Sequence, residues 1–174
     1  MKKKQIHFLK LYEPVHEQFE RFCRARVYGE MEYSDLMNET LLVGFEKFET
    51  LKSEAAFLSF LIGISIRILG SKNQKIREER MTTSMNINQV KDENSTTDLS
   101  IDIHYLHESL AKLSVNQKEA IILFELNGYS IKEIAKIQEV SESAVKQRLK
   151  RGRDSLIEIM NFESTIKTGG VNHE

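Results

Sequence analysis

The stretch "YSIKEIAKIQEVSESAVKQRLKRGR", residues 129–153, decides which fold the second half of the chain is expected to adopt. Two short runs with apolar residues at helical spacing meet at "QEVSES", and the second run continues into a cluster of Lys and Arg. Such spacing predicts two amphipathic helices joined by a tight turn. The pair is either part of an ordinary helical bundle or a helix-turn-helix unit that enters the major groove of DNA.

The inner faces of the two predicted helices carry what a helix-turn-helix unit needs. Ala135 is a small residue at the place where the helices would cross. Ser130 and Glu133 have the spacing of a capping box, and a helix is predicted to start at Ser141. Glu139 occupies a turn position where glycine is common, so either it adopts a left-handed conformation at a cost of about 1 kcal/mol or the turn shifts to another geometry. The apolar inner face comprises Ile131, Ile134, Val140, Val145 and Leu149.

The outer face of the second helix is polar and basic, which favours contact with DNA. Lys and Arg form charge-assisted bonds with phosphates, while Gln147 and Arg148 can reach base edges. A basic helix facing solvent on a bundle is the alternative. The predicted DNA-binding residues of this face are Ser141, Ser143, Ala144, Lys146, Gln147, Arg148, Lys150 and Arg151.

Charge and composition limit the classes of protein to consider. The formal net charge is −1, so any nucleic-acid surface must be local. Residues 130–156 carry seven Lys or Arg against four acids, a net charge of +3. The single cysteine, Cys23, lies in an apolar run and is predicted to be a buried small residue. No secretory signal or run of about 20 apolar residues is apparent, so we expect a cytoplasmic protein.

The apolar spacing is helical almost throughout, and the chain has one proline and eight glycines. We therefore predict an all-α fold of two small helical domains. The first helix is predicted over residues 13–28. The second is predicted to begin near Ser34, whose hydroxyl would cap the helix, and the third is predicted to begin after Ser53. The predicted domains are residues 5–80 and 102–162, joined by a flexible linker at residues 81–101 and followed by a disordered tail at residues 163–174.

The second predicted domain also contains residues that predict where its helices start and stop. A helix is expected after Ser114, which has capping-box spacing to Gln117, and Gly128 can stop that helix in a left-handed conformation. The last helix is predicted to run from Ser141 to about Met160.

The stretch "LSVNQKEAIILFELNGYSIKEIAKIQEVSESAVKQRLKRGRDSL" resembles the fourth domain of bacterial RNA polymerase sigma factors. The same helix-turn-helix occurs in some two-component response regulators. The N-terminal half discriminates, because "YSDLMNETLLVGFEKFETLKSEAAFLSFLIGISIRILGSKNQKIREER" resembles the second domain of the small extracytoplasmic-function (ECF) sigma factors. Phe60 replaces a tryptophan and Arg67 replaces an asparagine that are usual in that family.

The resemblance implies an alternative sigma factor with no enzymatic activity and no cofactor. Its partners would be core RNA polymerase, at the clamp and flap regions, promoter DNA and an anti-sigma factor. The C-terminal helix-turn-helix would bind the minus-thirty-five element. The residues implied to bind polymerase are Asp35, Leu36, Glu39, Thr40 and Leu41. The residues implied to bind the minus-ten element are Phe60, Arg67, Lys72, Lys75 and Arg77.

Two other functions are compatible with the sequence. One is a helix-turn-helix regulator that binds DNA alone as a dimer, and the other is a degenerate sigma-like protein that binds polymerase without melting promoters. No catalytic or metal-binding set is predicted. Asp35 and Glu39 are better explained by the helix dipole or polymerase contact, and His104 and His107 are predicted to be surface residues because no third ligand has suitable spacing.

Overall fold

The computed structural model describes residues 2–82 and 101–168. The chain divides into two compact units, the first holding residues 2–82 and the second holding residues 101–168. Helices and turns account for the regular structure of both described ranges, so the predicted all-α fold is confirmed. The predicted linker lies almost entirely outside the described residues, as does the end of the predicted tail.

The first unit contains four helices, one more than predicted. The additional helix lies at the N-terminus and is separated from the next by a 3-10 turn at Glu13–Val15, where Pro14 lacks the amide hydrogen that a continuous helix would use. Further 3-10 turns lie at Phe48–Thr50 and Glu54–Ala56. The helices are α1 (Lys2–Tyr12), α2 (His16–Val27), α3 (Tyr33–Glu46) and α4 (Phe57–Thr82).

Helices α2, α3 and α4 enclose the core of the first unit. Phe19, Phe22 and Cys23 of α2 are inaccessible to solvent, so the predicted burial of Cys23 is confirmed. Burial raises the pKa of the Cys23 thiol, with a smaller contribution from Glu20, so this thiol stays protonated and packs as an apolar group. Helix α4 adds Leu61 and other apolar residues to the same core.

Helix α1 packs its Phe8 side chain into an aromatic cluster. The Phe8 ring meets those of Phe45, Phe48 and Phe57 edge to face, at centroid distances of 5.6, 5.3 and 5.2 Å. Gly44 allows this approach, since a Cβ there would lie 3.0 Å from Leu61 Cδ2 and 3.6 Å from Phe8 Cζ. Aromatic contacts of this geometry add to the hydrophobic contribution of burial, so α1 is an integral part of the first unit.

Residues Glu54–Ile76 are long and apolar enough to cross a membrane by length and composition, which the sequence analysis did not anticipate. The core helix of a folded domain meets the same criteria. Phe57, Leu61 and Ile62 of this segment are buried against α2 and α3, and we therefore interpret the segment as a core helix.

The second unit also contains four helices, and a π-helical turn at Ile122–Leu126 follows the second of them. Gly128 adopts the predicted left-handed conformation, with φ of 72°, where this turn ends. The last helix extends beyond Met160, into the region predicted to be a disordered tail. The helices are α5 (Ile101–Ala111), α6 (Val115–Ile121), α7 (Ile131–Ile137) and α8 (Glu142–Thr168).

Three local predictions are wrong. Helix α3 starts at Tyr33, one residue before the predicted cap Ser34, and its N-cap Glu32 makes no side-chain capping bond. Ser114 is the N-cap of α6 as predicted, but its side chain makes no capping bond, so the box with Gln117 is absent. His107 is buried at 7% exposure, not on the surface, because it lies on the α5 face beside Leu110.

Candidate nucleic-acid interface

The start of α7 is fixed by the capping box that the sequence predicts. The Glu133 amide donates to Ser130 Oγ over 3.3 Å, and the Ser130 amide donates to Glu133 Oε2 over 2.9 Å. The Ser130 hydroxyl also donates to that carboxylate over 2.7 Å. These side-chain and backbone bonds from Ser130 lower the pKa of Glu133. The first helix of the pair is thus held in a defined orientation.

The turn between α7 and α8 is a left-handed helix cap built on Glu139. Its φ is 54°, the one positive value at a non-glycine residue in the described chain. The Val140 amide donates to Ala135 O over 3.0 Å, the bond that characterises a Schellman motif. Of the two alternatives that the sequence left open, Glu139 adopts the left-handed conformation, so the turn keeps its usual geometry without glycine.

Replacing Glu139 with glycine is expected to raise the free energy of unfolding of the second unit by about 0.5–1 kcal/mol. Glycine removes the steric cost of a left-handed L-residue, and the greater entropy of the unfolded chain offsets part of that gain. Urea denaturation followed by circular dichroism measures the difference. Glu139→Ala is the matched control, because it removes the same carboxylate but keeps Cβ; a gain of equal size in Glu139→Ala would contradict the explanation.

Helix α8 is set against α6 and α7 by its apolar side. Ile134, Val145 and Leu149 are buried at 3% exposure or less, and Ala135 at 8%, so these predicted inner-face residues form the core of the pair. Ile131 and Val140 are half-buried at its edge. The Ala144 amide donates to Ser141 Oγ over 3.2 Å, so Ser141 caps α8 as predicted.

The opposite side of α8 presents an unneutralised basic surface. Among the described residues, none forms an ion pair with Lys146, Lys150 or Arg151. Ala144 and Arg148 are half-buried, and the Arg148 guanidinium donates to Gln138 Oε1 over 2.9 Å. The exposed residues on this side form what we call the recognition face: Ser143, Lys146, Gln147, Lys150 and Arg151.

Arg153 belongs to the basic cluster of the sequence but serves the packing of the unit. Its Nη2 lies 2.6 Å from Glu125 Oε1, and its guanidinium lies 5.3 Å from the centre of the Phe124 ring. These contacts tie α8 to the π-helical turn. From the sequence alone, Arg153 is grouped with the other cations, because local spacing does not reveal a partner 28 residues away.

The face of α3 predicted to bind polymerase is only partly accessible. Asp35 is exposed, and Glu39 and Leu41 are half-buried. Leu36 and Thr40 are fully buried, so the structure contradicts their assignment as direct contacts. Their side chains pack between α3 and its neighbouring helices.

Leu42 is an accessible residue of α3 that the sequence analysis did not single out. Its side chain is 69% exposed. It lies seven residues after Asp35 and three after Glu39, which places the three on one side of the helix. This spacing is the sequence signal that could have identified it.

The residues predicted to bind the minus-ten element lie along α4. Phe60 is half-buried with its ring 6.3 Å from that of Phe57, Arg67 and Lys75 are exposed, and the Arg77 side chain lies outside the described ones. Lys72 is half-buried and donates to Glu39 of α3 over 2.5 Å. A groove of about 340 Å³ between α3 and α4 has Val43, Ile64 and Ile68 among its lining residues, together with Lys47, Arg67, Lys72 and Lys75.

Comparisons with known proteins agree with this geometry. The family model described as sigma-70, region 4, matches residues 103–156, which span α5 to α8. The ECF RNA polymerase sigma factor SigM of Mycobacterium tuberculosis is 23% identical over 95% of this chain and 81% of its own length. SigX of Bacillus subtilis, also an ECF RNA polymerase sigma factor, is 26% identical over 83% of this chain and 79% of its own length. The family model and these two relatives together support the identification of this chain as an ECF sigma factor. It is an alternative sigma factor that directs transcription initiation.

Solved structures share the fold of this sigma factor. The sigma factor RpoE of Bartonella quintana, determined with the anti-sigma factor NepR, aligns with a TM-score of 0.75 and 21% identity over 92% of this chain and 98% of its own. CnrH, determined with the cytosolic domain of CnrY, aligns with a TM-score of 0.65 and 18% identity over 90% of this chain and 89% of its own. No group of three or more His, Cys, Asp or Glu residues that could hold a metal ion occurs among the described residues of the sigma factor.

Proposed function

We propose that the recognition face of α8 binds the minus-thirty-five element of the promoter. The observation that carries this proposal is the row of exposed cations without acidic partners on the second helix of a capped helix-turn-helix. Such a helix fits the major groove, where Lys and Arg contact phosphates or guanine and Gln147 can contact adenine. Ser141 is a weaker candidate for a phosphate contact than the cations, because its hydroxyl oxygen already accepts the capping bond of α8.

The first unit is proposed to bind core RNA polymerase through α3 and the minus-ten element through α4. Asp35, Glu39, Leu41 and Leu42 supply carboxylates beside apolar surface on α3, a combination suited to a protein partner. Arg67, Lys72 and Lys75 supply the positive charge for the DNA backbone on α4. Phe60 is accessible enough to stack on a base, although part of its ring packs on Phe57.

The remaining features of the proposal follow from the sigma-factor family. The protein acts in the cytoplasm and carries out no bond-making chemistry of its own. An anti-sigma protein is proposed to restrain it, since RpoE of Bartonella quintana is bound to the anti-sigma factor NepR in its structure. The clamp and flap regions of polymerase are the proposed docking points.

The double variant Asp35→Asn, Glu39→Gln tests the polymerase contact. We expect its affinity for purified core polymerase to fall about thirtyfold, since each of the two charged contacts at such an interface contributes on the order of 1 kcal/mol. Fluorescence anisotropy of the labelled chain measures the affinity. The control is Glu13→Gln, Glu17→Gln, which removes the same charge from exposed positions away from α3.

Promoter-directed transcription by the wild-type chain with core polymerase completes this test. If the wild-type chain neither binds polymerase nor directs transcripts, but shifts a palindromic duplex alone, the protein is a stand-alone regulator. If the wild-type chain binds polymerase but directs no transcripts, the protein is the degenerate sigma-like protein. An equal loss of affinity in the control variant would refute the role given to α3.

A further inference from the structure

The Arg148 side chain is the one predicted DNA contact of α8 that the structure ties to another element. Its Nη1 donates to Gln138 Oε1 over 2.9 Å, across a separation of ten residues. Gln138 is the C-cap residue of α7, and its backbone is fixed by the bond from its amide to Ile134 O over 2.8 Å. The guanidinium of the second helix is therefore anchored to the end of the first.

The Gln138 side chain extends this connection to a third helix. Its Nε2 donates to Asn116 O in the first turn of α6, at a distance of 3.4 Å. The amide group of Gln138 thus accepts from α8 and donates to α6. Gln138 stands just before Glu139, whose left-handed conformation fixes the direction in which the chain enters α8.

We propose that Gln138 is a positioning residue that holds the Arg148 guanidinium for a DNA phosphate. This inference rests on the proposed minus-thirty-five function of the recognition face. A guanidinium has five N–H donors in a planar fork, so a bond to Gln138 leaves donors for a phosphate oxygen. Gln138 fixes the plane of that fork before DNA arrives, which reduces the side-chain entropy lost on binding. Because Arg148 is half-buried at the side of α8, it contributes affinity and register, and Lys146, Gln147, Lys150 and Arg151 read the sequence.

The assignment differs from the sequence-based one, in which Arg148 reads a base edge. A phosphate contact and a base contact have different experimental signatures. Loss of a phosphate contact weakens binding to all sequences alike and lowers the salt dependence of the affinity by about one unit of slope. Loss of a base contact relaxes preference at one base pair.

The experiment compares Gln138→Met, Arg148→Met and the double variant, all as full chains bound to core polymerase. The probes are a promoter duplex selected by the wild-type holoenzyme from a library randomised in the minus-thirty-five region, and a duplex with that region scrambled. We expect each single variant to lose about fivefold to tenfold in affinity for both probes, with a smaller salt slope. The double variant should lose no more than Arg148→Met, because Gln138 acts through Arg148.

Gln147→Met is the matched contrast, because it makes the same replacement at an exposed position of the recognition face. It should change the preferred base at one position and leave binding to the scrambled duplex unchanged. The melting temperature of each variant, measured on the free chain, shows whether the second unit remains folded.

Three outcomes would overturn the inference. Gln138→Met could bind both duplexes like the wild type, Arg148→Met could relax preference at one base pair, or both variants could lower the melting temperature while binding normally below it. The last outcome would make the contact purely structural. If instead the wild-type holoenzyme selects no sequence and directs no transcript, the proposed function fails, which is a separate result.

Discussion

Reversal of two charges on the recognition face, in the double variant Lys146→Glu, Arg151→Glu, is expected to lower promoter-directed transcription by 100-fold or more, on the order of 3 kcal/mol. Each lost contact with a phosphate or base costs about 1–3 kcal/mol, and each new carboxylate repels the DNA backbone. Both side chains are exposed and lack acidic partners among the described residues, so the fold of the second unit should tolerate the changes. Single-round transcription from the selected promoter measures the effect.

The matched control for this experiment is Lys3→Glu, Lys10→Glu. It makes the same change in net charge on exposed positions of α1, outside both proposed DNA surfaces. We expect it to retain transcription within about threefold, because long-range electrostatic effects are largely screened at physiological ionic strength. Polymerase affinity should be unchanged in the recognition-face variant. Equal losses of transcription in the two variants would mean that net charge, not the recognition face, governs promoter use.

The helix-turn-helix could be predicted from sequence because its determinants are local. Ser130 and Glu133 are three residues apart, and their capping bonds form within the first turn of α7, although the same spacing at Ser114 and Gln117 produces none. The existence of a turn at Glu139 follows from its position between two strongly periodic runs, whereas its left-handed conformation is seen only in the structure. The buried face of α8 repeats at helical spacing from Val145 to Leu149. Local spacing therefore predicted both the elements and the side of α8 that is exposed and basic.

The properties that sequence analysis missed depend on contacts between distant segments. Arg148 and Gln138 lie on different elements, so the sequence places Arg148 among the free cations. The resemblance to sigma factors marks Leu36 and Thr40 as part of a polymerase-binding motif but does not say which side of α3 they occupy. The pairing of Glu39 with Lys72 joins a residue expected to bind polymerase to one expected to bind DNA, across 33 positions of sequence.

Helix α1 is the largest element that the sequence analysis failed to predict. Its sequence, "KKKQIHFLKLY", begins with three lysines and carries Phe8, Leu11 and Tyr12 at helical spacing, while Ile6 and Leu9 are exposed at 66% and 54%. The helix is held by one buried aromatic side chain, Phe8, at 5% exposure. Short helices are stable mainly through such tertiary contacts, so the existence of α1 depends on the packing of Phe8 against residues far away in the sequence.

Substitution of Phe8 by alanine is therefore expected to destabilise the first unit by about 3–5 kcal/mol. The change removes a ring that contacts three others and leaves a cavity between α1, α3 and α4. Hydrogen exchange followed by mass spectrometry reports on each unit separately: peptides from α2 to α4 should exchange faster by a factor of about 100 or more, and peptides from α6 to α8 should be unchanged.

Leu9→Ala is the matched control for Phe8→Ala, since it truncates an adjacent apolar residue of the same helix that is mostly in solvent. It should alter exchange in the first unit by less than about threefold. If Phe8→Ala behaved like this control, the aromatic cluster would not hold α1 in place, and the first unit would have to be stabilised by α2, α3 and α4 alone. A large effect confined to the first unit would establish that helix α3, which is proposed to bind polymerase, depends on the N-terminal helix for its stability, because Phe8 packs on α3 through Phe45.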